Sequence, residues 1–155
     1  MFKKVLVPLD GSELAEAALP YAKELAKQFK GQLFLVYVVN ADAAALAARD
    51  VATFGAEAYV EQAVEAEKET AREYLQKQAA KVREPGLSVS TEVREGTAAD
   101  AITEAAHEDE VDVIVMATSG KTGIIRAVLG SVADEILRES GKPVLMLRPE
   151  DAKNE

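Results

Sequence analysis

The chain has 155 residues, no cysteine and a formal net charge of −9 at pH 7. That length fits one domain, which buries about 68–70% of the surface exposed by the unfolded chain and needs neither disulfides nor structural zinc. Because the acidic charge repels nucleic acid and anionic lipid, and no apolar run is long enough for a signal-peptide core or a membrane span, we expect a cytoplasmic protein that binds neither nucleic acid nor membrane.

The first predicted element is a buried strand over 3–9, since KKVLVPL is a short apolar run bounded by charge and by a turn. Asp10 stands at the carboxyl end of this strand. Ser12 is expected to cap a helix whose apolar positions recur every three or four residues. Those positions are Leu14, Ala18, Tyr21, Leu25 and Phe29.

A second buried strand is predicted over 33–39, where LFLVYVV is apolar at every position. Between 40 and 57 the apolar pattern is irregular, so both a short helix and a mobile loop remain open. Helical spacing returns over 58–83 among many charged residues, which predicts a long surface helix with one buried face. Pro85 and Gly86 end it.

A third strand over 87–93 alternates apolar and polar residues, unlike the first two, which places it at a sheet edge with one face near water. A helix over 97–106 follows, with Thr97 and Asp100 as a capping pair. His107 is the only histidine and has no Ser, Cys or second His at motif spacing, so it is expected to lie on the surface.

The segment 112–140 combines an apolar strand, a polar loop with glycines and an amphipathic helix, in that order. Ser131 followed by Asp134 is a capping pattern, so we expect the helix to begin at Ser131. The residues expected on its buried face are Val132, Ile136 and Leu137.

The start of this helix and the loop before it have the features of an anion site. Free N–H groups and the positive end of the helix dipole point toward the loop, and Gly130 allows a ligand to approach closely. Lys121 and Arg126 would add positive charge. The alternative is that the glycines only shape a tight connection. The tripeptide 120–122 matches the end of a P-loop, but Val115 stands where that motif needs a glycine, which argues against a Walker-type site.

The final strand is predicted over 144–147 and is apolar at every position, and the polar tail over 149–155 is expected to fray. If this strand is a sheet edge, something must cover it, and a second copy of the chain is the simplest cover. We therefore expect a homodimer through Val144, Leu145, Met146 and Leu147.

Strands and helices alternate along the chain, which predicts one parallel sheet with helices on both faces. In such sheets ligands bind beyond the carboxyl ends of the strands, where the strand order reverses. If the first and fourth strands are neighbours there, Asp10 and the glycine loop face one crevice. The Asp10 carboxylate would accept hydrogen bonds from a ribose or hold a divalent metal; the alternative is that it only orders its own turn. No G-x-G-x-x-G follows the first strand, so a Rossmann dinucleotide site lacks its fingerprint.

Three stretches, VLVPLDGS, VYVVN and ATSGKTGIIRAVLGSVADEIL, resemble landmarks of the universal stress protein family. The resemblance covers a single domain over 1–148. ATP-binding members of the family show a glycine, two residues, a glycine, nine residues, a glycine and then Ser or Thr. Gly120 and Gly130-Ser131 match this pattern, whereas Ala117 stands in place of the first glycine.

The resemblance implies an α/β fold, with a five-stranded, parallel, doubly wound sheet in the order 3-2-1-4-5 and about four helices. This fold is Rossmann-like and similar to that of the adenine nucleotide alpha hydrolases. The resemblance also implies ATP or another adenine nucleotide as ligand, with Mg²⁺ or Mn²⁺, and dimers through the last strand are common among relatives.

The resemblance assigns roles to individual residues. Pro8 and Leu9 would line the base pocket, and Val38 would meet the adenine through its backbone. Asp10 would contact the ribose or the metal. The full set of predicted binding residues is Pro8, Leu9, Asp10, Val38, Met116, Ala117, Gly120, Lys121, Arg126, Gly130, Ser131 and Val132.

Three functions remain open. The first is a cytoplasmic, dimeric stress-response or signalling protein whose conformation or choice of partner depends on bound ATP. The second is a slow ATPase or self-phosphorylating protein, in which Lys121 and Arg126 neutralise the phosphates; the loop offers no obvious base, so we expect no efficient catalysis. The third is a nucleotide-free interaction module, which Ala117 keeps open. A response-regulator receiver does not fit, because only the single Asp10 ends the first strand.

Overall fold

The computed structural model describes residues 1–48, 56–118 and 130–149. The strands are β1 (Lys4–Leu9), β2 (Gln32–Val39), β3 (Ser88–Glu95), β4 (Val113–Ala117) and β5 (Val144–Leu147). The helices are α1 (Glu13–Glu16), α2 (Leu19–Gln28), α3 (Ala41–Ala48), α4 (Ala56–Val82), α5 (Ala98–Glu108) and α6 (Ser131–Glu139). The predicted site residues Gly120, Lys121 and Arg126 lie outside the described residues, as does most of the predicted tail.

The five strands are parallel and form one sheet in the order β3-β2-β1-β4-β5. This confirms the predicted order, including the third strand at an edge. Val89 and Val93 of β3 pack on the core while Ser88 and Ser90 are exposed, which explains the alternating pattern of that strand. Because β1 and β4 are neighbours, their carboxyl ends lie side by side.

Hydrophobic cores cover both faces of the sheet, because successive residues of a strand point to opposite sides. Val5 and Val7 of β1 are fully buried in a core that includes residues of α2 and α4. Leu6, between them, is fully buried in a second core with residues of α5 and α6. The predicted doubly wound arrangement is therefore confirmed.

The helix predicted after Ser12 is divided into α1 and α2, and most of its predicted buried face is wrong. Three of the large residues expected inside are well exposed: Leu14 (37%), Tyr21 (59%) and Phe29 (38%). The residues of α2 that are buried are Leu19, Ala22 and Ala26. Alanine side chains are short, so this face brings the α2 backbone close to the sheet, and the large residues lie on the outside.

The start of α1 matches the prediction, because Ser12 is its N-cap and Ser12 Oγ accepts a hydrogen bond of 3.1 Å from the backbone N–H of Ala15. A second helix start follows at Leu19, with Pro20 in its first turn. Proline is tolerated there because the first backbone N–H groups of a helix have no intrahelical partner.

Helix α6 begins at Ser131 as predicted, but the capping prediction is wrong. Gly130 is the N-cap residue, and no side chain of the described residues caps the helix. The Asp134 carboxylate accepts a hydrogen bond of 2.6 Å from Arg138, one turn along the helix, and does not support a Ser131 cap. Glycine at the N-cap leaves the first-turn N–H groups without a side-chain oxygen.

The buried face of α6 is also narrower than predicted. Ile136 is fully buried together with Ala133, whereas Val132 and Leu137 are 37% and 51% exposed. The helix packs against α5, and the described residues cover only the side facing α5 and the sheet.

For the alanine-rich stretch over 40–57, the sequence left both a helix and a loop open. Its first half forms the helix α3. Asn40 Oδ1 accepts hydrogen bonds from the backbone N–H groups of Asp42 and Ala43 at 3.0 and 3.1 Å, which stabilises the helix start. Alanine has the highest intrinsic helix propensity, which favours this outcome. Residues 49–55 lie outside the described part.

The long helix α4 is confirmed, with Val64 and Leu75 among its buried residues. At the start of α5, Thr97 is the N-cap, but its hydroxyl donates to Asp100 Oδ2 at 2.7 Å and does not bond the backbone. His107 is exposed, as predicted. Among the described helices, none combines the length and apolarity that a membrane crossing requires.

Candidate binding cleft

A cleft of about 170 Å³ opens at the carboxyl ends of β1 and β4. Seven of the predicted site residues line it: Pro8, Leu9, Asp10, Val38, Met116, Ala117 and Val132. Four further lining residues were not predicted: Ala15, Val36, Ala98 and Ile102. The cleft therefore brings together the ends of three strands and the first turns of three helices.

The cleft exists because β1 and β4 separate before they end. β1 pairs with β2 over its whole length, from Lys4 to Leu9, but with β4 only through Val5 and Leu6. Pro8 has no backbone N–H to donate, so it suits a position where the ladder to one neighbour has stopped. The gap that follows forms the crevice.

The floor of the cleft is apolar. Val36, Ile102 and Met116 are at most 9% exposed and belong to the same hydrophobic core. An apolar cavity of about 150 Å³ holds a benzene molecule. The floor is therefore suited to one flat, largely apolar ring system, with polar groups placed at the rim.

Asp10 is exposed at the rim and orders its own turn. Its Oδ1 atom accepts hydrogen bonds from the backbone N–H of Ser12 at 2.9 Å and from the Ser12 hydroxyl at 2.5 Å. Gly11, between them, has a φ of 86°, a conformation that favours glycine. A carboxylate has two oxygens with about four acceptor sites, so this turn leaves capacity for a ligand hydroxyl or cation.

The other rim of the cleft is the N-terminus of α6. Val132 lines the cleft, and Gly130 and Ser131 are exposed directly before it. The N–H groups of this first turn carry the positive end of the helix dipole and have no side-chain cap among the described residues. This rim can therefore accept a negatively charged group.

Gly130 itself is not explained by the fold. Its φ of −55° is accessible to any residue. A Cβ built there meets no described atom within 4 Å. Neither backbone strain nor contact with the described residues requires glycine at this position. A ligand resting on the helix N-terminus would require it, because a side chain would occupy the ligand's space.

Ionisable groups are sparse among the described residues of the cleft. Among the described residues that line it, Asp10 is the only one with an ionisable side chain. Lys121 and Arg126, predicted to add positive charge, lie outside the described part, so their role stays a prediction. This set of residues is suited to holding a ligand and offers little for acid–base chemistry.

Of the four lining residues that sequence reasoning missed, only Val36 follows from strand alternation. Val36 and Val38 lie two apart on β2 and share a face, and Val36 is the register partner of Pro8. Because Pro8 and Val38 were predicted to line the site, Val36 could have been predicted by the same reasoning. Ala15 and Ala98 carry no chemical signal, since they line the cleft only by being small and in the first turn of a helix.

A family model described as "Universal stress protein family" matches residues 1–148. Universal stress protein MJ0531 of Methanocaldococcus jannaschii is 36% identical over 151 residues, covering 96% of this chain and 83% of the relative. The solved structure of MJ0577, from the same organism, matches with a TM-score of 0.79 and 26% identity, covering 98% of this chain and 99% of that chain.

Similar solved structures include complexes with adenylates. The universal stress protein from Archaeoglobus fulgidus, determined in complex with dAMP, matches with a TM-score of 0.62 and 21% identity over 96% of this chain and 100% of that chain. At this identity the likeness concerns the fold alone.

Proposed function

The chain belongs to the universal stress protein family, and from that premise we propose that it binds ATP or another adenine nucleotide in the cleft between β1 and β4. It acts in the cytoplasm as a dimeric stress-response or signalling module whose conformation depends on the bound nucleotide. The observation that carries this proposal is the meeting, in one cleft, of an apolar floor, a carboxylate and a helix N-terminus that no described side chain caps.

Each part of the cleft corresponds to one part of a nucleotide. The apolar floor, which includes Met116 and has Val38 beside it, takes the base, and the Asp10 carboxylate accepts hydrogen bonds from the sugar hydroxyls. The N–H groups at Gly130–Val132 take the phosphates. Adenylate bound in a family member, as the dAMP complex shows for the Archaeoglobus fulgidus protein, supports this class of ligand.

Mg²⁺ or Mn²⁺ fits the same arrangement through Asp10. Mg²⁺ is usually held by one or two carboxylates together with substrate phosphates and water. Asp10 supplies one carboxylate at the rim, so the nucleotide phosphates would complete the coordination. When bound, the ion neutralises phosphate charge, which a chain of net charge −9 otherwise repels.

Binding without efficient turnover is the function that the described residues favour. Hydrolysis needs a positioned base and charge neutralisation at the γ-phosphate. Asp10 is the only ionisable side chain among the described lining residues, and its Oδ1 is engaged by Ser12. Slow hydrolysis therefore depends on Lys121 and Arg126.

We expect adenine nucleotides to raise the melting temperature of this protein. A ligand at about 100 times its dissociation constant adds about 2.7 kcal/mol of stability, which corresponds to roughly 5–11 °C for a domain of this size. The measurement is thermal melting with ATP, AMP and GTP, each with and without Mg²⁺, followed by calorimetric titration of the best ligand. Absence of any shift at millimolar adenylate would favour the nucleotide-free interaction module.

Substitutions of Gly130 supply the matched variants for this test. Gly130→Ala and Gly130→Val place one and then three carbons where the phosphates are proposed to lie. Since a Cβ there meets no described atom within 4 Å, the nucleotide-free melting temperature should change little. Adenylate affinity should fall for alanine and fall further for valine. The expected loss for valine is about tenfold or more, which corresponds to about 1.4 kcal/mol of lost binding free energy. Unchanged affinity in Gly130→Val would place the ligand elsewhere.

We propose that β5 joins two copies of the chain. It is the edge strand beside β4, and Leu145 is 40% exposed on it. Leu145→Asp is expected to convert a dimer to a monomer, because the charge would lose its hydration in a paired strand. Sedimentation velocity measures the change. Ser88→Asp places the same charge on the opposite edge strand and should leave the mass unchanged; a dimer that survives Leu145→Asp excludes this interface.

A further inference from the structure

Tyr74 of α4 belongs to the core on the α2 and α4 side of the sheet, and its hydroxyl reaches the segment after β1. It donates a hydrogen bond of 2.8 Å to Glu16 Oε1, at the end of α1. Gln78, one turn further along α4, donates its side-chain amide to the same oxygen at 3.2 Å. Gln78 is only 4% exposed, and Tyr74 and Glu16 are half-buried, so α4 and α1 are joined by a partly buried polar cluster.

Helix α1 needs contacts of this kind. It has four residues, a single turn, and a helix of that length does not persist without tertiary contacts because nucleation is costly. Ser12 caps it by accepting a hydrogen bond from the N–H of Ala15, and its last residue, Glu16, is held by the bonds from α4. Ser12 also donates twice to Asp10. An unbroken series of contacts therefore runs from Tyr74 to Asp10 at the cleft rim.

A second contact leads to the same place. The Tyr74 ring packs edge to face on Tyr37, with ring centroids 5.9 Å apart and an interplanar angle of 71°. Tyr37 is the register partner of Leu9, the residue before Asp10. Burial raises the pKa of Tyr74, and the hydrogen bond to Glu16 raises it further, so the hydroxyl stays protonated and donates at neutral pH. Tyr74 does not touch the ligand cleft itself.

We propose that Tyr74 is a positioning residue: its hydroxyl, acting through Glu16 and α1, holds the turn 10–12 so that Asp10 faces the cleft. The effect on ligand affinity rests on the proposed function, whereas the effect on the turn does not. Tyr74→Phe is the smallest test, because it keeps the ring on Tyr37 and removes only the hydroxyl.

The experiment is an NMR measurement of hydrogen exchange at the Ser12 amide in the ligand-free protein, followed by calorimetric titration with Mg-ATP. In Tyr74→Phe, Ser12 exchange should rise about tenfold or more and Mg-ATP affinity should fall by a similar factor, as expected for one lost hydrogen bond to a charged group. Glu16→Ala should reproduce both effects. Tyr59→Phe makes the same chemical change at an exposed position of the same helix and should produce neither.

A variant that weakens α4 elsewhere separates positioning from general loss of stability. Val82→Ala, at the far end of α4, should lower the melting temperature and leave Ser12 exchange and Mg-ATP affinity unchanged. If Val82→Ala changes Ser12 exchange as much as Tyr74→Phe does, Tyr74 has only a structural role and the proposal is overturned.

The remaining outcomes are also decisive. Wild-type Ser12 exchange in Tyr74→Phe would overturn the proposal whatever the nucleotide does. Altered exchange with unaltered Mg-ATP affinity would refute the link to the ligand. If the wild-type protein binds no adenine nucleotide, the proposed function fails, and the ligand-free exchange still decides whether Tyr74 holds the turn.

Discussion

Replacing Gly31 by alanine is expected to lower the free energy of unfolding by about 3 kcal/mol, at the upper end of what overpacking costs. A Cβ at Gly31 would lie 2.7 Å from the carbonyl carbon of Lys3 and 2.8 Å from its Cα, closer than such atoms approach each other. The clash is with backbone at the start of β1, where Gln32 donates to the Lys3 carbonyl at 2.7 Å. No flexible side chain is available to move aside.

The entropy that alanine removes from the unfolded chain, about 0.4–1 kcal/mol, is too small to offset this clash. Denaturant unfolding followed by circular dichroism measures the difference, which corresponds to roughly 6–12 °C in melting temperature. Gly130→Ala is the matched control and should change the free energy by less than about 0.5 kcal/mol. Equal stability of Gly31→Ala and the wild type would contradict the close approach of the two segments.

Ile136→Ala is expected to cost about 2–5 kcal/mol, because it removes three carbons from a fully buried site and leaves a cavity. Leu137→Ala, at the next residue of the same helix, should cost less than about 0.5 kcal/mol, since Leu137 is 51% exposed. The two substitutions lie in the same helix and shorten an aliphatic side chain to the same methyl group, so they differ mainly in how deeply the side chain is buried. Equal losses in denaturant unfolding would show that another contact covers Leu137 in solution.

The strands were predictable from the sequence because their apolar runs are short and bounded by turns. KKVLVPL and LFLVYVV correspond to β1 and β2, and the alternation over 87–93 correctly placed β3 at an edge. The complete strand order came from the family resemblance, since apolar runs record burial and say little about which strands are neighbours.

The helix faces were predicted less well, for a physical reason. Reasoning from periodicity favoured large residues such as Tyr21 and Leu137, whereas the sheet is contacted through Ala22, Ala26 and Ala133. Small residues permit close packing of a helix on a sheet, and hydrophobicity patterns give them little weight. The Ser131 cap failed because the adjoining Gly130 occupies the N-cap position.

The cleft was predictable where topology determines it. The carboxyl ends of neighbouring parallel strands must lie together, so Asp10 and Ala117 were bound to meet at one edge. Ile102 was missed because it reaches the cleft from the second turn of α5, and its apolar side chain carries no functional signature. The series of contacts from Tyr74 to Asp10 joins residues 64 positions apart, a relation that neither motif nor periodicity records.

The polar outer edge of the sheet at β3 has a consequence for self-association. Glu92 and Arg94 place charge on that edge strand, and charged edge strands resist pairing with further chains. In the proposed dimer, the contact runs through the other edge strand, β5, and a self-complementary contact of this kind closes after two molecules. The proposed dimer would therefore leave only the two charged β3 edges at its ends, which disfavours growth into longer assemblies.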